Sequence, residues 1–290
     1  MAKHPICAVT HVRHEHFFLE KWIAHYAPIV GGREHLYVVM DGDDWEPQVD
    51  LTGVNAEVVL EAPRRRIKND RFMASHMSKF SNQLRKRYEN VVRCDVDEYV
   101  LIDPASNLDW ETALATEQVE AGYIFALGCD VVQGPDETTP VDRAQPILGQ
   151  RRAGYIADRY TKPFVISRWN NWAGGAHRLL NRPVVISPHF YMFHLALADA
   201  GIVQERMEAR GGTTQHRSFV GHQTDRIAAI EDTATAEPID WEEARAIGMA
   251  EFPIEPKDGG PAKRPRPSRD PRNMEHGLPV RIPERFFGRA

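Results

Sequence analysis

Two carboxylates one residue apart, Asp95 and Asp97, stand inside the segment Val91-Val92-Arg93-Cys94-Asp95-Val96-Asp97-Glu98-Tyr99-Val100 of this 290-residue chain. Apolar residues lead into the pair and out of it, which predicts a strand. Alternate residues on a strand share a face, so both acids are expected on one side. Two ionised carboxylates so close repel, and burying them is costly unless a cation or a shared proton relieves the charge. A hard divalent cation that also takes phosphate oxygens is the natural partner. The alternative, a solvated strand end with two surface acids, suits the apolar flanks less well.

The elements that must position this pair can be read from the preceding residues. Ile6 to Thr10 is a first strand, and His14 to Tyr26 a helix, with Phe18, Leu19, Trp22, Ile23 and Tyr26 on one stripe. Leu36 to Met40 is a second strand ending in the acidic turn Asp41-Gly42-Asp43-Asp44, and Val58-Val59-Leu60 a third, followed by the cationic loop Arg64 to Lys68. Met73, Met77, Phe80, Leu84 and Tyr88 mark a second amphipathic helix. Strands alternating with helices predict a mostly parallel sheet covered on both faces, with ligands beyond the carboxyl ends of its strands. Thr10, Asp41, the Arg64–Lys68 loop and the paired acids all fall on that rim.

The second half is less regular. Asn107 can cap a helix through Gln118, and Tyr123 to Leu127, Phe164 to Ile166 and Val184 to Ile186 read as strands. Further helices are expected at Ala196–Arg210, Val220–Glu231 and Glu242–Ala250, the last opened by Asp240 and Glu243 in a capping-box pattern. Between two strands lies Trp169-Asn170-Asn171-Trp172-Ala173-Gly174-Gly175-Ala176-His177. Indoles can cover the C–H face of a sugar while amides meet its hydroxyls, so Trp169, Trp172 and His177 are expected to bind a saccharide or glycan acceptor. From Pro253 on, proline, glycine and arginine without apolar period predict an extended or disordered tail. The expected organisation is therefore a single catalytic domain over 1–252 and a tail over 253–290.

Composition narrows the class. Hydrophobic content of 42% and charged content of 27% are ordinary for a globular protein, and the net charge of -5 gives no reason to expect nucleic acid. Cys7, Cys94 and Cys129 are odd in number and lack C-x-x-C spacing, which fits a reducing cytoplasm. No stretch reaches the length of a membrane span, so the expected membrane contact is peripheral, through the basic tail.

Four segments carry a family resemblance: Val12-Arg13-His14-Glu15, Phe18-Leu19-Glu20-Lys21-Trp22-Ile23-Ala24-His25-Tyr26, Tyr37-Val38-Val39-Met40-Asp41, and Arg93-Cys94-Asp95-Val96-Asp97-Glu98-Tyr99-Val100. In that order they resemble the bacterial glycosyltransferase family 2-like proteins, whose central motif is D-x-D-E-[FY]. The resemblance spans residues 5 to 103, the nucleotide-sugar half, with 104–252 left as the acceptor half. One position departs: His14 stands where the motif has Asn. The resemblance implies a GT-A fold, an α/β nucleotide-binding sandwich, with Mn²⁺ or Mg²⁺ at the paired acids. It further implies hexosyl transfer from a nucleotide-diphosphate sugar to an acceptor hydroxyl, leaning towards inversion. By the same resemblance Asp41 contacts the base or ribose, and a C-terminal residue, His194 before His189, completes the metal shell with Asp95 and Asp97.

Chemistry adds the remaining candidates. Thr10, Arg13, Arg66, Lys68 and Lys162 are placed to face the donor, the cations among them its diphosphate. A cation held by Asp97, with Asp95 directly or through water, would stabilise the diphosphate as it leaves. The acceptor hydroxyl needs a carboxylate base in a direct displacement, and Asp130 is the first candidate, with Asp136 and Glu137 beside it. Two other classes fit part of this pattern. One is a nucleotide-sugar-binding protein without catalysis. The other is a haloacid-dehalogenase-like phosphatase, whose acid pair belongs near the N-terminus and before Thr or Val.

Overall fold

The computed structural model describes residues 2–60, 66–117, 121–209, 230, 236–256, 261–262, 272 and 275–290. The first half builds β1 (His4–Val12), α1 (Phe17–Val30), β2 (Leu36–Asp41), β3 (Asn55–Val59), α2 (Arg66–Leu84), β4 (Tyr88–Arg93) and β5 (Glu98–Ile102). The second half adds α3 (Trp110–Glu117), β6 (Tyr123–Val132), β7 (Ala153–Ile156), β8 (Lys162–Ile166), β9 (Ile186–Leu197), α4 (Ala200–Ala209), α5 (Trp241–Glu251) and β10 (Leu278–Arg281). The result is a mixed α/β fold around one large sheet.

Strands run in the order β10-β7-β6-β8-β4-β1-β2-β3, with β9 on β6 and β5 on β9. The quartet β4-β1-β2-β3 is parallel throughout, as the alternation of strands and helices predicts. Strand β8 joins antiparallel to β4 and β6, whereas β9 runs parallel to β6 and antiparallel to β5. All ten residues of β6 are buried, so it reads as an unbroken apolar run with one acid, Asp130, near its end.

Helix α1 buries the expected stripe, and Gly31 ends it at φ 83, the left-handed region that glycine enters without a Cβ clash. Asp240 caps α5 by accepting from the amides of Glu242 and Glu243. Among the described residues no helix is long and apolar enough to cross a membrane.

Three expectations need correction. The paired acids do not lie on a strand: β4 stops at Arg93, and Asp95 to Glu98 form a turn in which the Glu98 amide donates to the Asp95 carbonyl, 3.0 Å. Strand β9 runs on to Leu197, well past Ile186, absorbing Phe190 to Leu195. The stretch from Pro253 does not end as a free tail. Leu278, Val280 and Ile282 are buried, β10 pairs antiparallel with β7, and Phe286 is fully buried beside Tyr191, Phe193 and Trp241. Pro279 is tolerated because β10 is an edge strand. The expected helix Val220–Glu231 and the arginines Arg64 and Arg65 fall outside the described residues, Ile230 aside.

Candidate functional site

The turn after β4 gives each acid its own cation. On one side, the Asp95 carboxylate meets Lys162 Nζ at 3.2 Å, His11 Nδ1 at 3.6 Å and Arg93 Nη2 at 3.8 Å. Lys162 opens β8 and also bonds Glu98, whose other oxygen accepts from the Asp95 amide at 3.1 Å. Burial alone would raise the Asp95 pKa, but Lys162, Arg93 and His11 outweigh it and hold the group well below the usual carboxylate range. Glu98 is the acid whose pKa burial raises, with Lys162 opposing, and Lys162 itself is held protonated against burial by Glu98 and Asp95.

On the other side, Asp97 Oδ2 accepts from Arg206 Nη2 at 2.8 Å, and Arg206 Nε stands 2.5 Å from Glu15 Oε2. The guanidinium also lies over the Phe18 ring, 4.9 Å from its centroid. Arg206 outweighs burial and keeps Asp97 ionised far below its ordinary range. The same Asp97 oxygen is 3.8 Å from His194 Nε2, while His194 Nδ1 bonds Asp130 Oδ1 at 2.6 Å and the Tyr160 ring stacks on the imidazole at 4.0 Å. Register explains the convergence: Glu98 pairs with His194 across β5 and β9, and Asp130 pairs with His194 across β6 and β9.

Beyond the strand ends a small cavity of about 120 Å³ is lined by His11, Asn69, Asp70, Arg93, Asp95 and the Gly175–Ala176 backbone region, with Met73 and Ala74 behind. Asp41 ends β2 next to it, its carboxylate accepting from Asn69 Nδ2 at 3.0 Å. Burial lowers the His11 pKa against the pull of Asp95, so this imidazole favours the neutral form.

Not every predicted residue joins the cluster in the same way. Asp130 comes to the site, but Oδ1 faces His194, which makes it a group that orients an imidazole. Glu137 is occupied in a loop clamp, accepting from the amides of Gly134 and Arg152, and Asp136 is exposed beside it. Arg13 forks onto Asp44 at 2.8 and 2.9 Å and also bonds the Asp41 carbonyl, bracing the loop after β2. Thr10 is wholly buried inside β1. Arg66 begins α2 and Lys68 is exposed on its first turn.

Trp169 lies beyond Ile166, the end of β8 opposite Lys162, and is 62% exposed. Trp172 is buried, its Nε1 donating to the Pro163 carbonyl and its ring facing the Arg93 guanidinium at 5.3 Å. His177 Nδ1 pairs with the Arg159 carbonyl at 2.7 Å; burial, with Lys162 adding to it, pushes its pKa well down. These three residues therefore do not present one platform. The sequence reading passed over Arg206, Glu15, Glu98, His11 and Arg93. Glu15 and Glu98 lay within the quoted motifs, but nothing local marks Arg206, which reaches Asp97 only through the fold.

Among the described residues no group of three His, Cys, Asp or Glu side chains gathers as a ready cation site. A narrower fit is present. His194 Nδ1 is engaged with Asp130 while its Nε2 side faces a carboxylate oxygen of Asp97, an arrangement like that in which an outer carboxylate orients a metal-binding imidazole. Mg²⁺ is usually held by one or two carboxylates, with substrate phosphates and water supplying the rest, and Asp97 offers one such carboxylate.

No protein-family model matches the chain, and no curated protein does. Among solved structures, S. aureus TarS 1-349 aligns over 74% of this chain and 68% of its own, at 13% identity and TM-score 0.29. The same S. aureus fragment in complex with UDP-GlcNAc aligns over 74% and 69%, at 11% identity and TM-score 0.27. CMP:2-keto-3-deoxy-manno-octonic acid synthetase complexed with CTP aligns over 78% and 86%, at 11% identity and TM-score 0.28. At TM-scores this low the likenesses carry no argument.

Proposed function

We propose that this chain is a GT-A-like glycosyltransferase that binds a nucleotide-diphosphate sugar beyond the carboxyl ends of β1, β2 and β4 and passes the sugar to an acceptor hydroxyl. One observation carries the reading: at that rim His11 and Asp95 line a cavity together with Asn69, to which Asp41 is bonded, and the turn that carries Asp95 also sets Asp97 against Arg206 and the His194–Asp130 pair, so that both halves of the sequence contribute. Sheets of this kind place nucleotide ligands there. Asp97 and His194 are the residues suited to hold Mn²⁺ or Mg²⁺, which when bound supplies positive charge to a departing diphosphate. Lys162 and Arg206 add cations on either side of the acid pair, to meet the charge that develops as the bond from the anomeric carbon to phosphate breaks. Asp130 holds the His194 tautomer, and Glu98 holds Lys162 against Asp95.

The test is a panel of nucleotide sugars incubated with the protein and Mn²⁺ in the absence of acceptor. Slow, metal-dependent release of nucleoside diphosphate from one donor is expected, and Asp97→Ala should abolish both that release and metal-stimulated binding in a protein that still folds by circular dichroism. Binding without turnover would point to a binding protein, and phosphate-ester cleavage with indifference to sugars to a phosphatase. Undiminished metal-dependent affinity in folded Asp97→Ala would sink the assignment of that residue.

A further inference from the structure

Arg206 occupies the position that a cation at Asp97 would claim. Its Nη2 sits 2.8 Å from Asp97 Oδ2, and that oxygen is the one facing His194 Nε2 at 3.8 Å. The guanidinium is held from two other sides, by the buried Glu15 carboxylate at 2.5 Å from Nε and by the Phe18 ring beneath. A guanidinium clamped so firmly is costly to leave unpaired, and Asp97 without a counter-charge would be equally costly. We propose that Arg206 is a placeholder counter-ion: it neutralises Asp97 until a divalent cation binds, and it then turns Nη2 to the donor diphosphate while Nε stays on Glu15. This inference rests on the reading of the site given above.

The geometry gives it a direct consequence. A cation arriving alone must displace Nη2 from Asp97 and leave it with no new partner. A cation arriving with a diphosphate gives Nη2 an anion to accept its hydrogen bond. Arg206 therefore makes cation and nucleotide bind cooperatively, and linkage requires the effect to be mutual. Among the described residues, Glu15, Asp97, His194 and Asp130 face it or one another, and Asp95 on the far side of the turn has its own cation in Lys162.

Titration of the full-length protein with MnCl₂, followed by electron paramagnetic resonance with and without UDP or GDP, tests this. Wild type should bind Mn²⁺ weakly alone and about 5- to 150-fold more tightly with the nucleotide it accepts, the usual span of coupling between two sites. Arg206→Gln should bind Mn²⁺ alone more tightly than wild type and lose most of the enhancement. Because that variant leaves Glu15 buried without its partner, the double variant Glu15→Gln, Arg206→Gln is measured beside it as a neutral pair. Unchanged Mn²⁺ affinity and unchanged coupling in a folded variant overturn the role of Arg206 while leaving the functional reading in place. If wild type binds neither Mn²⁺ nor nucleotide, the functional reading falls and the inference with it.

Discussion

Removing the Trp172 side chain takes away an indole that is only 2% exposed, a hydrogen bond to the Pro163 carbonyl and the face against which Arg93 rests. Large-to-small replacement of a buried aromatic costs about 3–5 kcal/mol. Trp172→Ala should lose that much in urea denaturation, and its weakened Arg93 should loosen Asp95 as well. A fully stable variant with impaired sugar transfer would instead return Trp172 to the acceptor side. The residue illustrates what was legible in the sequence and what was not. Two tryptophans among glycines and amides look alike as text, yet one is core and the other is exposed at the far end of β8. The acids told more, because Asp41, Asp95 and Asp97 follow apolar runs, and a carboxylate after a buried strand must find a cation. Which cation it finds is a matter of the fold: Arg206 lies 109 residues from Asp97.

Among the elements, β10 shows how a short strand hides in biased composition. Leu278, Pro279 and Val280 are buried in succession, with Ile282 buried beyond the exposed Arg281, so the strand carries no period of two to stand out among its prolines and arginines. The strand covers the β7 edge, and Phe286 just beyond it inserts between Tyr191, Phe193 and Trp241, with ring centroids 5.1 to 5.6 Å away. Arg285 adds a forked pair to Asp103 at 2.8 and 3.1 Å, tying the segment to the end of β5. Phe286→Ala is therefore expected to cost about 3–5 kcal/mol in denaturant unfolding. An unchanged midpoint would show that the segment contributes little to the core. Helices α1 and α5 were readable for the opposite reason: their apolar stripe and Asp240 cap are local signals that no distant partner has to complete.

At the scale of the whole molecule, the division into a nucleotide half ending at residue 103 and an acceptor half following it is a division of sequence only. In the fold the halves interlock. Strand β4 has β8 as its second neighbour, and the whole of β5 pairs with β9. The site is shared in the same way, with Asp95 and Asp97 from the first half held by Lys162, His194 and Arg206 from the second. A fragment of residues 1–103 would expose the β4 edge, leave β5 without its ladder, strip Asp97 of its counter-charge and leave Asp95 with His11 and Arg93 but without Lys162. Unpaired strand edges recruit other chains, and uncompensated buried carboxylates oppose compaction. That fragment should show no cooperative thermal transition by circular dichroism and no saturable binding of UDP or GDP. If it instead melts cooperatively and binds nucleotide with the affinity of the full chain, Lys162, His194 and Arg206 are dispensable for donor binding, and the second half serves the acceptor alone.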